Sequence, residues 1–189
     1  MLEARDRAVA PTGSLSIDSR RSRLTFEVRY FGVLRVQGAF RTMRGEILGL
    51  DPRAPSATAV TAVVQISSLD TGIRLRDRHL CSRGYLGARR SPEATFQSER
   101  IVPDGPGSAR VLGVLTLRGI TREVVLHVNE CRFDDAQRRM RARAQFTVRR
   151  SDFAVGPPRR APWWDVRRYL IHDDVRLVLE VEAVDRSAP

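Results

Sequence analysis

Three histidines, two cysteines and two pairs of adjacent aspartates are the residues best suited to chemistry in this 189-residue chain. Their spacing works against them. His79, His127 and His172 fall in three separate predicted elements, with no second metal ligand or triad partner near any of them in sequence. His79 and Cys81 stand two apart on a predicted helix, roughly 200° around its axis, so they do not face one site. His127 lies between Leu126 and Val128 on the polar phase of a strand and is expected in solvent. Asp134-Asp135 and Asp173-Asp174 read as carboxylates of turn regions. Cys81 and Cys131 are 50 positions apart and neither belongs to a C-x-x-C pair, so neither a disulfide framework nor a zinc site is indicated. The chain contains no G-x-S-x-G elbow, H-E-x-x-H, phosphate-cradling loop or G-x-G-x-x-G. No cofactor and no metal are implied.

The elements that must position these residues are mostly short strands. Leu24, Phe26, Val28 and Tyr30 alternate with polar neighbours, and Phe31-Gly32 turns the chain into a run from Val36 through Phe40 to Ile47. A loop around Asp51-Pro52 and Pro55 follows, then a strand over 58–67. Residues 73–81 break the β pattern and predict a short helix with Leu75, His79 and Leu80 near one face. Ser68 and Thr71 are expected to form the turn and N-cap ahead of it. Strand patterns resume at 94–102, 111–117, 123–133, 140–149 and 174–184, separated by turn residues such as Pro103-Asp104-Gly105 and Gly119. Eight to nine strands with one helical interruption predict an antiparallel sandwich or an up-and-down barrel. A barrel suits strands with one continuous apolar face, because closure buries that face and removes open edges.

Length fits one domain able to bury roughly 70% of its unfolded surface. The expected division is a flexible segment over 1–13, a barrel domain over 14–184 and a tail over 185–189. An apolar content of 42% excludes a mostly disordered chain, and no apolar run reaches the roughly 20 residues of a membrane-spanning helix. The opening MLEARDRAVAPTGS carries charges throughout and no apolar stretch, so a cytoplasmic protein with reduced thiols is expected.

The formal net charge is +11, and all 33 basic residues are arginine. Nucleic-acid binding and genome base composition both account for such a bias. Its placement is uneven. Residues 74–90 hold six arginines against Asp77 alone, and 132–168 hold eleven against four aspartates, while the remaining chain holds sixteen arginines and seventeen acids. Arg159, Arg160, Arg167 and Arg168 bracket Trp163 and Trp164. That mix suits an anionic head group or a membrane interface, single-stranded nucleic acid through stacking, or a solvated loop whose tryptophans pack on the domain.

Several segments together carry a resemblance. Leu24-Thr25-Phe26-Glu27-Val28 followed by Gly38-Ala39-Phe40 resembles the S-x-v-x-F-x-v…G-x-F opening of the YceI-like family of lipocalin-like polyisoprenoid-binding proteins. Ser68-Leu69-Asp70-Thr71-Gly72 and Arg76-Asp77-Arg78-His79-Leu80 are similar to its S-l-x-T-g…R-D-x-H-L segment. Pro92-Glu93-Ala94-Thr95-Phe96, the run from Gly113 to Thr121, and Arg150-Ser151-Asp152-Phe153 resemble three further elements in order. The likeness spans Ser14 to Val184. The segment 157–169 has no counterpart in that pattern, and many members carry an export signal that this opening lacks.

The resemblance implies an all-β, eight-stranded antiparallel lipocalin-like barrel with a short helix, enclosing an apolar tunnel for an isoprenoid-type lipid or quinone. It also suggests a homodimer. A prenyl tail offers no hydrogen bonds, so its pocket needs only shape and apolar area, at about 25 cal/mol per Å² buried. Candidate wall residues are Phe26, Val28, Phe40, Val64, Ile66, Leu75, Leu80, Leu115, Leu117, Val124, Leu126, Phe146, Val148, Phe153, Trp163 and Leu179. Ordinary core packing has the same alternation, so hollow and filled barrels both fit. Arg76, Arg159, Arg160, Arg167 and Arg168 are candidates for a head group or for peripheral membrane contact. Arg76 and Asp77 are also expected to anchor local hydrogen bonds. The leading expectation is a non-enzymatic lipid carrier. An arginine-rich interaction or nucleic-acid module on a filled barrel, and an enzyme acting on a quinone-like lipid through His79 or Asp77, are the alternatives. The charge placement disfavours nucleic acid.

Overall fold

Side chains that alternate between apolar and polar favour strands, and here the strands succeed one another with little else between them. The computed structural model describes residues 14–50, 57–134, 136–157 and 171–185. The strands are β1 (Leu15–Ile17), β2 (Arg23–Tyr30), β3 (Leu34–Phe40), β4 (Met43–Leu48), β5 (Ala59–Gln65), β6 (Leu69–Asp70), β7 (Glu93–Pro103), β8 (Ala109–Leu117), β9 (Ile120–Asp134), β10 (Arg139–Arg149) and β11 (Ile171–Asp185). One helix, α1 (Arg74–Leu80), lies between β6 and β7. Trp163 and the arginines at 159, 160, 167 and 168 lie outside the described residues, as do the expected N-terminal segment and most of the tail.

All pairings are antiparallel, and the ring β1-β4-β5-β7-β8-β9-β10-β11 closes where β11 meets β1. Above that ring, β2 continues along β11 and β3 pairs with β2. Since β1 and β2 both run antiparallel to β11, they are two lengths of one interrupted strand. The same holds for β3 with β4, and for β5 with β6. Counted this way the molecule is an eight-stranded up-and-down barrel with a short helix.

The interruptions have identifiable causes. The expected single run from Val36 to Ile47 bends at Arg41 and Thr42. There the Arg41 N–H donates to the Ser68 carbonyl at 3.2 Å and the Thr42 N–H to Ser68 Oγ at 3.1 Å. Ser68 belongs to a 3₁₀ turn, Ile66–Ser68, which ends the strand expected over 58–67 at Gln65. Between β1 and β2, the Asp18 N–H donates to the Glu182 carbonyl at 2.8 Å, and the Glu182 N–H donates to Ser22 Oγ at 3.0 Å.

Glu182 is itself buried, and its carboxylate meets Arg21 at 2.9 Å, Arg141 at 3.0 Å and Arg139 at 3.1 Å. Burial alone would raise its pKa, but the hydrogen bonds from Arg21 and Arg141 and the charge of Arg139 outweigh it and hold the carboxyl below its ordinary range. A depressed carboxylate contributes its full stability at neutral pH and loses it as pH falls through the ordinary carboxylate range toward the folded-state value. Glu182→Gln is expected to lower stability by about 2 kcal/mol at pH 7, less than a fully enclosed pair because Arg21 and Arg141 are more than half exposed. Urea titrations at descending pH should show the wild type converging on the variant in acid.

Close strand approach makes Gly113 a second structural dependence. A Cβ there would sit 2.2 Å from the Gln97 carbonyl oxygen and 2.8 Å from Ser98 Cα, where β7 and β8 slip register at a bulge. Both neighbours are backbone and cannot step aside. Gly113→Ala is therefore expected to cost about 2–3 kcal/mol, read as a lowered urea midpoint.

Inside, Ile17, Ile101, Val111 and Ala144 are buried across the middle of the barrel. A second cluster of Leu15, Ile47, Met140 and Ala183 packs at the end where β1 closes the ring. These layers form a floor. The opposite end is spanned by the β2–β3 hairpin, α1, the segment that follows α1 and the 3₁₀ turn Arg150–Phe153.

Candidate functional site

Above the floor, inward residues of facing strands are held in matched rows. Leu24 pairs with Leu179, Phe26 with Leu177 and Val28 with Val175, while Phe146 and Val148 stand opposite Leu177 and Val175 on the other side of β11. These rows do not meet in the centre. They enclose a cavity of about 600 Å³, within the roughly 300–1,000 Å³ typical of ligand sites.

Phe40, Val64 and Ile66 complete the wall beside β5. Leu115, Leu117, Val124 and Leu126 form it on β8 and β9, and Phe153 and Leu80 close over it near the mouth. Phe26 rests on Phe40 with ring centroids 5.8 Å apart. Gly38 makes that position available: a Cβ there would meet the Phe26 ring at 2.6 Å and Thr71 Cγ2 at 2.8 Å. The glycine thus lets the Phe26 ring lie back against β3 rather than across the cavity.

Among the expected wall residues that the structure describes, Leu75 is the exception. It is 74% exposed and does not reach the cavity. The inward stripe of α1 is instead Arg76, His79 and Leu80, residues at i, i+3 and i+4. Thr71 sets this phase. Arg76 donates from Nε to Thr71 Oγ1 and from Nη2 to the Thr71 carbonyl, both at 2.7 Å, which turns Leu75 outward. Asp77 accepts from the Thr71 N–H at 2.9 Å and from its hydroxyl at 2.5 Å. The N-cap of α1 is Ile73, with no side-chain cap, so Thr71 is braced by the helix rather than capping it.

Polar groups on the cavity gather at the mouth. The His79 and Tyr85 rings meet at a tilt of 57° with centroids 4.6 Å apart, beside Arg76. Arg150 is buried, and its guanidinium donates to the carbonyls of Val155 and Pro157 at 2.9 Å and of Ile171 and His172 at 3.3 Å. Asp173 lies 4.0 Å from it and accepts from the N–H and hydroxyl of Ser151. Arg118, in the β8–β9 turn, donates to the carbonyls of Arg83, Tyr85 and Ala154. Arg76, Arg118 and Arg150 therefore fasten the segments around the opening by gripping backbone oxygens.

The other candidates for chemistry stay apart. His127 is exposed on the outside of β9, and exposed His172 accepts the Asp174 N–H at 3.2 Å. Burial, with Asp77 adding to it, raises the Cys81 thiol pKa, and burial raises that of Cys131. Both thiols are unpaired and stay protonated at neutral pH, where they are poor nucleophiles. The basic residues of the second arginine-rich segment are partly neutralised by β11, since Arg138 pairs with Asp185 and Arg139 and Arg141 pair with Glu182.

Fold and cavity together define a lipocalin-like barrel built around an apolar chamber with one polar end. The chain belongs to the YceI-like family: the YceI-like domain profile matches residues 15–183. A UPF0312 protein of Yersinia pestis is 31% identical over 119 residues, 63% of this chain and 61% of its own length. One from Vibrio parahaemolyticus is 33% identical over 103 residues, 54% of each chain. The match thus spans little more than half the length of these curated relatives. Burkholderia cenocepacia BcnA has the same fold, with a TM-score of 0.78 at 21% identity, covering 89% of this chain and 99% of BcnA. A polyisoprenoid-binding domain from Saccharophagus degradans superposes with a TM-score of 0.65 at 15% identity, covering 90% of this chain and 98% of that one.

Proposed function

We propose that this protein is a non-enzymatic carrier that holds an isoprenoid-type lipid, or a quinone with an isoprenoid tail, in its barrel. The observation that carries the reading is the chamber itself, walled by aliphatic and aromatic side chains with polar groups confined to one end. A prenyl chain needs apolar area and no hydrogen bonds, which is what rows such as Leu24–Leu179 and Val28–Val175 offer. Arg76, His79 and Tyr85 line the mouth of the chamber and would meet the polar head, with Arg76 fixed by its two bonds to Thr71. The Saccharophagus degradans neighbour, a polyisoprenoid-binding domain, supports the same ligand class.

Organic extraction of natively purified protein, paired with native mass spectrometry, tests it. One isoprenoid lipid per barrel is the expected result. Protein that is empty under native spraying and yields no lipid on extraction overturns the proposal. Turnover of a quinone that disappears in His79→Ala or Asp77→Asn, while lipid stays bound, overturns its non-enzymatic part.

A further inference from the structure

Seven large apolar side chains are exposed among the described residues, and five of them share the open end of the barrel. Phe31, Val33 and Leu34 belong to the β2–β3 hairpin, while Ile73 and Leu75 begin α1. Leu34 and Arg76 both line the cavity, which places hairpin and helix at the same mouth. Val33 is 81% exposed, more than any other large apolar residue described.

The hairpin tip is built at a cost. Phe31 has φ 53° and Gly32 φ 71°. Glycine occupies that left-handed region freely, but a bulky aromatic residue there carries strain. Its ring does not bury in return: it meets Tyr30 edge-on at 4.7 Å and remains 55% exposed. Strain combined with exposure points to a use outside the fold.

The charge around the patch identifies the partner. Arg29, Arg74 and Arg78 are exposed and make no ion pair among the described residues. The acids of these segments are occupied, Glu27 by Gln37 and Arg35, and Asp77 by Thr71. Two copies meeting face to face on this rim would oppose arginine with arginine. An anionic bilayer satisfies both features, because phosphates take the arginines and the headgroup boundary takes the apolar tips.

We propose that this rim docks the barrel on an anionic lipid surface with the cavity mouth turned toward the membrane. Docking extends the carrier reading without depending on which lipid fills the chamber.

Flotation of the full chain with phosphatidylcholine vesicles, with and without phosphatidylglycerol, tests it. The wild type is expected to float with the anionic vesicles and to be released by salt. The double variant Val33→Asp, Leu75→Asp should partition about tenfold more weakly. Arg74→Gln with Arg78→Gln should weaken flotation and flatten its salt dependence. All four positions are exposed, so the melting temperature and extracted lipid should match the wild type. Absence of flotation at low salt, or equal flotation of wild type and both variants, overturns the proposal. So does a variant that changes only the oligomeric state by gel filtration, since the rim would then be a contact between copies. Protein that floats but yields no lipid on extraction would sink the carrier reading alone, whereas loaded protein that fails to float would sink docking alone.

Discussion

Leu179→Trp is expected to empty the barrel without unfolding it. Leu179 faces the chamber from β11, opposite Leu24 on one side and Ala144 on the other, and its side chain is only partly covered. In a filled core the added volume would displace neighbours and cost about 1–3 kcal/mol. In a chamber of about 600 Å³ the indole instead takes space that a lipid would occupy. Extraction should then recover at least about tenfold less lipid, a loss of binding free energy of about 1.4 kcal/mol or more. A second measurement separates occupancy from packing. A ligand bound at about 100 times its Kd stabilises the folded state by about 2.7 kcal/mol, so stripping lipid should lower the wild-type melting temperature and leave that of Leu179→Trp unchanged. A variant that melts well below stripped wild type would mean that the barrel is packed and that no chamber exists in solution.

Arg150→Ala is expected to produce the largest loss of stability, about 3–4 kcal/mol. Removing the guanidinium strands four carbonyls, those of Val155, Pro157, Ile171 and His172, and leaves Asp173 without its nearest cation. In a chain of this size such a loss corresponds to a fall in melting temperature of about 10 °C. Arg150→Lys should recover little of it, because a single ammonium cannot span carbonyls arranged around a planar fork. Limited proteolysis should cut first near residues 150–157, where the turn has lost its anchor. A melting temperature within about 2 °C of wild type would show that these bonds contribute little.

The wall was legible in the sequence because its signal is period two. Once Phe26 and Val28 face inward, the pleat forces Leu24 inward too, and Leu179 does the same for Leu177 and Val175. The mouth was not legible, because contacts distant in sequence decide it. Counting apolar residues on a helical wheel selects Leu75, but the bonds from Arg76 to Thr71 hold Arg76 on the cavity in its place, while His79 and Leu80 keep the face expected of them. Tyr85 and Leu86 lie in a segment without periodicity, and nothing local marks them as cavity residues. Arg150 stood within a recognised motif, yet its role depends on Ile171 and His172, some twenty positions downstream. Likewise, the breaks in the long strands follow from Ser68 and Glu182 reaching across the barrel.

The floor of Ile17, Ile101, Val111 and Ala144, sealed beneath by Leu15, Ile47, Met140 and Ala183, makes the barrel a blind pouch. On the reading proposed above, a lipid would thread in by its greasy end and back out along the same track with its head leading. A molecule bearing polar groups at both ends would strand one of them, unsolvated, against aliphatic carbon, at a cost of several kcal/mol. The sealed base therefore acts as a filter for one-headed cargo. On the carrier reading proposed above, loading and unloading would use the same doorway in turn.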